Sequence, residues 1–316
     1  VHTAWEMTHQ REISRVLRVF DDAGITPLVM KGSALAYSHY PAPAVRARCD
    51  TDLLVPPDSR EVADRLFIEA EFTKGFGVTG EYVSYESAYS RSDSFGFDHT
   101  FDLHWRVNNA QVFAKLFRYA DLLERAVPVP ALDERARGLC PVDALLLACL
   151  HRAAHMGHTA RIGNADYSEG NRLIWIYDIH LLFSGMSVEE QQAFAERALE
   201  TGLGGVCLDA LETCHGYLDT PISDETRAAL SRAGDSDPAA RYLRAGQLGR
   251  FWIELGAYPG WSQRVGYIKE LVFPSATYMR QKYPDAGTTA LPLLYLKRTL
   301  EGIGKRIFRA SHPPHS

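Results

Sequence analysis

The sequence predicts an α+β protein: a small α/β domain over residues 1–130, then a helical domain over residues 131–316. Three observations carry this reading. Apolar residues alternate with period two through two aspartate-bearing segments, Arg46–Val55 and His99–Val107. Segments of helical spacing precede and separate them, and after Pro141 helical spacing takes over almost entirely. A chain of 316 residues is long enough to bury two cores.

Taken in order, Thr8 to Ala23 sets Ile13, Val16, Leu17 and Phe20 at helical spacing. A short strand, Pro27 to Met30, leads into Lys31-Gly32-Ser33, where Ser33 is the expected cap of a helix reaching about Tyr40. Pro41-Ala42-Pro43 breaks that helix, and the strand Asp50–Val55 follows. Ser59 to Glu71 reads as a helix with Val62, Leu66 and Ala70 on one face. Tyr82–Arg91 and Phe97–Val107 read as strands joined by Ser92-Asp93-Ser94, a hairpin, and the domain is expected to end near Pro128 or Pro130. Beyond it, helices are predicted over Val142–Met156, Asn171–Phe183, Val188–Thr201, Val206–Leu218 and Ala239–Leu255. Gly157–Gly170 is polar and reads as a loop, and Ser311–Ser316 as a disordered end.

A hydrophobic fraction of 46% and a charged fraction of 23% are those of an ordinary globular protein. The apolar stretch Ala144–Leu150 is too short to cross a bilayer, and nothing near the first residue reads as a signal peptide. Five cysteines without a CxxC pair, Cys149 among apolar residues, point to thiols in a reducing, cytoplasmic compartment and to no structural zinc. The net charge of −5 argues against gripping a long nucleic acid, yet leaves room for a local basic pocket.

The chemistry concentrates in three aspartates. Asp50 and Asp52 lie two apart on one strand and so face the same way; Asp102 shares a face with His104, whereas Phe101, Leu103 and Trp105 take the other. Carboxylates brought together repel unless a cation neutralises them, and Mg²⁺ is the natural ion where phosphates complete its ligands. Gly32 allows a phosphate close to the backbone at a helix N-terminus, and the Ser33 hydroxyl offers a further donor. Arg46, Arg48 or Lys31 could contact the phosphates, with no pattern to choose among them.

These residues resemble the DNA polymerase β-like nucleotidyltransferase superfamily, and within it the bacterial family labelled "uncharacterised nucleotidyltransferase". The likeness rests on Lys31-Gly32, Tyr40, Arg46, Asp50-Thr51-Asp52-Leu53-Leu54-Val55 and Asp102-Leu103-His104-Trp105-Arg106. It continues weakly through Asn171-Arg172-Leu173-Ile174-Trp175 with Asp178, and through Phe273-Pro274 to Tyr283-Pro284. It departs in the sixteen residues between Ser33 and Asp50, so the helix or the loop after it is longer, and that loop, Pro41–Cys49, is expected to border the site.

The resemblance implies a polymerase β-like domain and two Mg²⁺ ions, with Mn²⁺ able to substitute. Asp50 and Asp52 would bridge the ions, and Asp102 would complete the one that activates the acceptor. The implied reaction moves a nucleoside monophosphate from an NTP (ATP or GTP) to a hydroxyl or phosphate of a small-molecule or peptide acceptor, releasing pyrophosphate. Alternatives are a catalytically inactive, antitoxin-like nucleotide-binding regulator, or transfer of a sugar phosphate in natural-product tailoring.

Weaker constellations remain. His151 and His155 share a helical face, with His158 beyond, but lack the glutamate of a zinc protease; packing against the cleft is the plainer reading, with orientation of an acceptor as the sharper one. His104 is expected to border the site and Trp105 to pack in the core. Arg172, Trp175 and Asp178 read as a packing and salt-bridge node, with base stacking on Trp175 as the alternative. Leu293–Phe308 is a basic amphipathic helix, read first as docked on its own domain and second as touching an anionic membrane or a partner.

Overall fold

A computed structural model describes residues 2–77, 80–156, 159–162, 165–233, 238–287 and 289–311. Helix α1 (His2–Asp22) buries Ile13, Val16, Leu17 and Phe20, the spacing that predicted it. Strand β1 (Leu28–Met30) is buried throughout and passes without a linker into α2 (Lys31–Ser38). Next come β2 (Asp50–Leu54), α3 (Arg60–Glu69), the short β3 (Thr73–Lys74) and the hairpin of β4 (Glu86–Ser92) with β5 (Asp98–His104). Helix α4 (Tyr119–Glu124) precedes β6 (Val127–Pro128) and β7 (Arg137–Gly138).

These strands form one seven-stranded sheet in the order β3-β4-β5-β2-β1-β7-β6. Strand β2 lies inside it, antiparallel to β1 and parallel to β5. Alternation then sorts the side chains. Val29, Leu53, Val55, Phe101 and Leu103 pack with α1 and α3 in one core. Leu28, Met30 and Leu54 face the opposite way and join the core of the following helices. Asp50 and Asp52 have the parity of Leu54, so the carboxylates sit on the sheet face turned toward the helices.

The helical layer comprises α5 (Pro141–His155), α6 (Leu173–Ser184), α7 (Val188–Glu200), α8 (Gly204–Leu218), α9 (Asp224–Leu230), α10 (Pro238–Arg244), α11 (Gln247–Ala257), α12 (Trp261–Val272), α13 (Ala276–Lys282) and α14 (Leu291–Ser311). No helix among the described residues is long and apolar enough to cross a membrane. The five cysteines are free thiols, and Cys149, Cys207 and Cys214 are buried.

Three expectations about single elements are corrected, and the sheet's pairing bears on the expected division. Ser33 does not cap α2: the helix opens at Lys31, whose φ of 51° turns the chain from strand to helix in one residue. The segment read as a loop over Gly157–Gly170 contains a hairpin of β8 (Thr159–Ile162) with β9 (Ala165–Ser168); the Gly163-Asn164 dipeptide between them is a hairpin signal, and those two residues lie outside the described ones, as do 157 and 158. The helix expected over Ala239–Leu255 is split into α10 and α11, with Gly246 at the N-cap position of the second. The strand β7 pairs with β1 from beyond residue 130, so the expected division falls between the paired strands β6 and β7, and the first long helix of the second layer starts at Pro141. Of the expected disordered end, 312–316 lie outside the described residues and Ser311 closes α14.

Sheet and helices are also joined by one buried ion pair. Arg46 donates from Nε and Nη2 to the two oxygens of Asp178 on α6, at 2.8 and 2.7 Å, and Tyr40 Oη donates to the same carboxylate at 2.7 Å. Both charged side chains are under one-tenth exposed. Asp178→Ala strands the Arg46 guanidinium and should cost about 3–5 kcal/mol in urea unfolding, the range for breaking a buried pair from one side. A loss below about 1 kcal/mol would show that the pair does not join the layers.

Candidate functional site

The cleft is built around the junction of β1 and α2. Lys31 and Gly32 line it, and a side chain at Gly32 would meet the Arg46 guanidinium at 3.1 Å. The close approach that this glycine permits is therefore made by Arg46. Pairing of β2 with β5 sets Asp52 directly opposite Asp102, with Asp50 two residues before. The cleft has a volume of about 810 Å³ and is lined by Lys31, Gly32, Arg46, Arg48, Asp50, Asp52 and Asp102 from the first half of the chain. The loop Pro41–Cys49 borders it through residues 46–49.

Asp52 is the electrostatic centre. Lys31 Nζ and His104 Nε2 both approach its Oδ1, at 2.6 and 2.9 Å. Burial works against its charge, but Lys31 and His104 outweigh burial and hold its carboxyl below the usual range. Burial likewise opposes the charge on Lys31, and Asp52 more than offsets it, keeping the ammonium above its ordinary value. Asp102 has the opposite balance: burial, then repulsion from Asp52 and Asp50, push it up to about 6. Asp50 is raised for the same reasons, burial first and Asp52 second. His104 also places Nδ1 3.3 Å from Glu86, its register partner on β4.

Ser33 is 1% exposed and turned into the fold. Its hydroxyl receives a hydrogen bond from Arg48 Nε at 2.9 Å and lies 2.8 Å from the Thr51 hydroxyl. Thr51 faces away from the carboxylates toward His9 Nε2, 2.8 Å distant, and His9 Nδ1 lies 3.0 Å from His99 Nδ1. Burial, with Arg48 and His99 nearby, pushes His9 down to about 2, so this imidazole is neutral. Arg48 is paired with both oxygens of Glu6 on α1 at 2.8 and 2.7 Å. Arg48 and Ser33 therefore brace the underside of β2. Sequence reasoning missed Glu6, His9 and His99, which carry no local pattern, and Glu86, which alternation opposite His104 would have offered.

Helices α5 and α6 supply the other wall. His151, His155, Arg172, Trp175 and Asp178 all line the cleft. His151 and His155 pack edgewise on Trp175, with ring centres 4.6 and 5.0 Å away, and Arg172 stacks over it at 5.1 Å. Burial, then Lys31, push His151 down to about 3, so it is a neutral imidazole. The salt-bridge node read at Arg172, Trp175 and Asp178 takes its cation from outside α6: Asp178 pairs with Arg46 of the preceding loop, while Arg172 stacks over Trp175. Trp105 is buried, with Arg60 stacked 4.3 Å from its ring centre.

Among the described residues, Asp52, Asp102 and His104 bring ligand atoms within 4.8 Å of one another and could hold a metal ion. Carboxylate oxygens suit a hard divalent cation, and Asp50 and Asp102, raised first by burial and then by repulsion from neighbouring aspartates, would gain from a cation between them.

A family described as "Uncharacterised nucleotidyltransferase" matches residues 3–219, and the chain belongs to it. No curated protein matches. Among solved structures, an antigenic nucleotidyltransferase-like protein from Paracoccidioides brasiliensis is similar at 16% identity and a TM-score of 0.35, covering 68% of this chain and 94% of that one.

The Asp102 environment has a measurable consequence for stability. Its carboxyl rises in the folded state from 3.8 to about 6, so ionisation weakens the fold as pH climbs through that interval. Asp102→Asn removes this penalty. In chelator the variant should melt above the parent protein at pH 7–8, the gap closing toward about pH 4. Mg²⁺ should raise the parent's melting temperature more than the variant's. A gap unchanged with pH would refute the charge crowding.

Proposed function

From the family membership and the geometry of the cleft, we propose that the protein moves a nucleoside monophosphate from an NTP, ATP or GTP, to a hydroxyl or phosphate of a small-molecule or peptide acceptor. The acceptor oxygen bonds to the α-phosphorus as the bond to pyrophosphate breaks, and a hydroxyl acceptor passes its proton to water. The observation that carries this reading is the β2–β5 register, which puts Asp52 beside Asp102 on the face lining the cleft, with Asp50 next along the same strand. Asp50, Asp52 and Asp102 are proposed to hold Mg²⁺, with Mn²⁺ as a substitute; such an ion supplies charge neutralisation and a lowered pKa for the acceptor hydroxyl.

The chain's own groups do the positioning. Lys31, at the start of α2 with Nζ 2.6 Å from Asp52, would donate to a phosphate oxygen there. Trp175 on the opposite wall, framed by His151 and His155, would stack a base in exchange for the Arg172 guanidinium over its ring. Arg46 and Arg48 act through their pairs with Asp178 and Glu6, holding the loop and β2 rather than reaching for ligand. His104 orients Asp52.

One observation favours a second reading, a nucleotide-binding regulator without turnover. Asp52 is already neutralised by Lys31 at 2.6 Å, as an inactive relative would need. The two readings part in a pyrophosphate-release assay over a panel of NTPs and acceptors with Mg²⁺. Under the enzyme reading, Asp50→Asn and Asp52→Asn each cut turnover by at least about 10³-fold. Asp102→Asn suppresses turnover while sparing NTP affinity, and His151→Ala stays within about tenfold. Nucleotide binding without pyrophosphate release moves the protein to the second reading. Loss of activity on His151 or His155 substitution alone would shift the chemistry to the helices.

A further inference from the structure

We propose that α11, α12 and α14 form a face that docks on an anionic membrane surface, lying on the bilayer without crossing it. Ten of the 22 large hydrophobic side chains exposed among the described residues fall between positions 248 and 300. On α12 they are Trp261, Val265, Ile268 and Val272, spaced to share one helical face. On α11 Leu248 and Trp252 stand one turn apart. On α14 Leu293, Leu296 and Leu300 form a stripe whose spacing of three and four continues in sequence to Ile303 and Ile307.

The stripe on α14 is not the exposed side of an undocked helix. Leu294 is buried, Tyr295 Oη donates to the Pro274 carbonyl at 2.7 Å, and Arg298 donates to the Leu271 carbonyl at 3.0 Å. One side of α14 thus packs on the chain around α12, and the apolar stripe is what that packing leaves outward. No helix among the described residues is long and apolar enough to span a bilayer.

Charge identifies the occupant. Residues 238–316 hold twelve Lys and Arg against four Asp and Glu, a net +8; with −5 on the whole chain, residues 1–237 carry −13. A second copy fits poorly, because residues 238–316 carry a net +8 and self-pairing would set like charges together. Nucleic acid would take the basic side chains but give no place to outward Trp, Leu and Val. An anionic bilayer takes both: aliphatic side chains enter the acyl boundary, Trp sits at the headgroups and Lys and Arg meet lipid phosphates. This surface uses none of the residues proposed for the chemistry, so either proposal can fail without the other.

The test is co-sedimentation of the full chain with phosphatidylcholine vesicles, with and without phosphatidylglycerol, in low and high salt. The protein should pellet with the anionic vesicles and be released by salt. The triple variant Leu293→Ser, Leu296→Ser, Leu300→Ser should partition at least about tenfold more weakly at an unchanged melting temperature, since exposed side chains are replaced. Tryptophan emission should shift to the blue on binding, less so in Trp261→Phe. The proposal is overturned if anionic vesicles bind no protein or the triple variant binds as well as its parent. It is equally overturned if light scattering finds a dimer that the triple variant dissolves, or if duplex DNA binds more tightly than the vesicles.

Discussion

A carboxylate on an interior strand of a sheet has to be compensated, and much of this structure follows from how Asp52 meets that demand. Unpaired, its charge would be costly in the folded state. Lys31 answers from the neighbouring strand end, and it can do so because the chain turns from β1 into α2 within that single residue, at a φ of 51°. The strain of a left-handed lysine is offset by an ion pair of 2.6 Å. His104 reaches the same oxygen from β5, which ties the parallel register to the charge balance: slipping β5 by one residue would turn Asp102 and His104 into the α1–α3 core.

The opposite face of β2 is braced as carefully as the charged one. Thr51 meets His9 and Ser33, Ser33 receives Arg48, and Arg48 is held by Glu6. A buried polar network of this kind is worth having when all of its members are paired, and here it fixes the strand on which two carboxylates must stay in register. Tyr37 Oη adds a donor to Glu6 at 2.5 Å, so α1, α2 and β2 share one set of hydrogen bonds.

How much of this was legible in the sequence depends on the range of the interaction. Period-two alternation is local, and it placed Asp50, Asp52, Asp102 and His104 on their strands. Helical spacing is local too, and it located α1, α5, α7 and α8. The partners of charged side chains are not local. Nothing near Arg46 announces that it pairs with Asp178, 132 residues away, and nothing in α1 marks Glu6 as the counter-ion of Arg48. Ser33 misled for a related reason: a serine after Lys-Gly has the signature of a cap, yet the one-residue turn at Lys31 carries it past the helix start into the interior. Short strands such as β7 escape notice because two residues carry no period, and they exist by pairing with β1.

The charge asymmetry follows a similar division of labour between parts of the chain. The family match ends at residue 219, and the basic, outward-facing helices lie beyond it. Acidic groups that crowd the cleft would be repelled by an anionic surface, whereas the +8 of residues 238–316 would be drawn to it. On such a surface the two fields would act as a torque, holding the −13 portion away from the lipid while the C-terminal helices rested on it. Orientation on the surface would then be set by net charge along the chain, and depth by the apolar stripes of α11, α12 and α14.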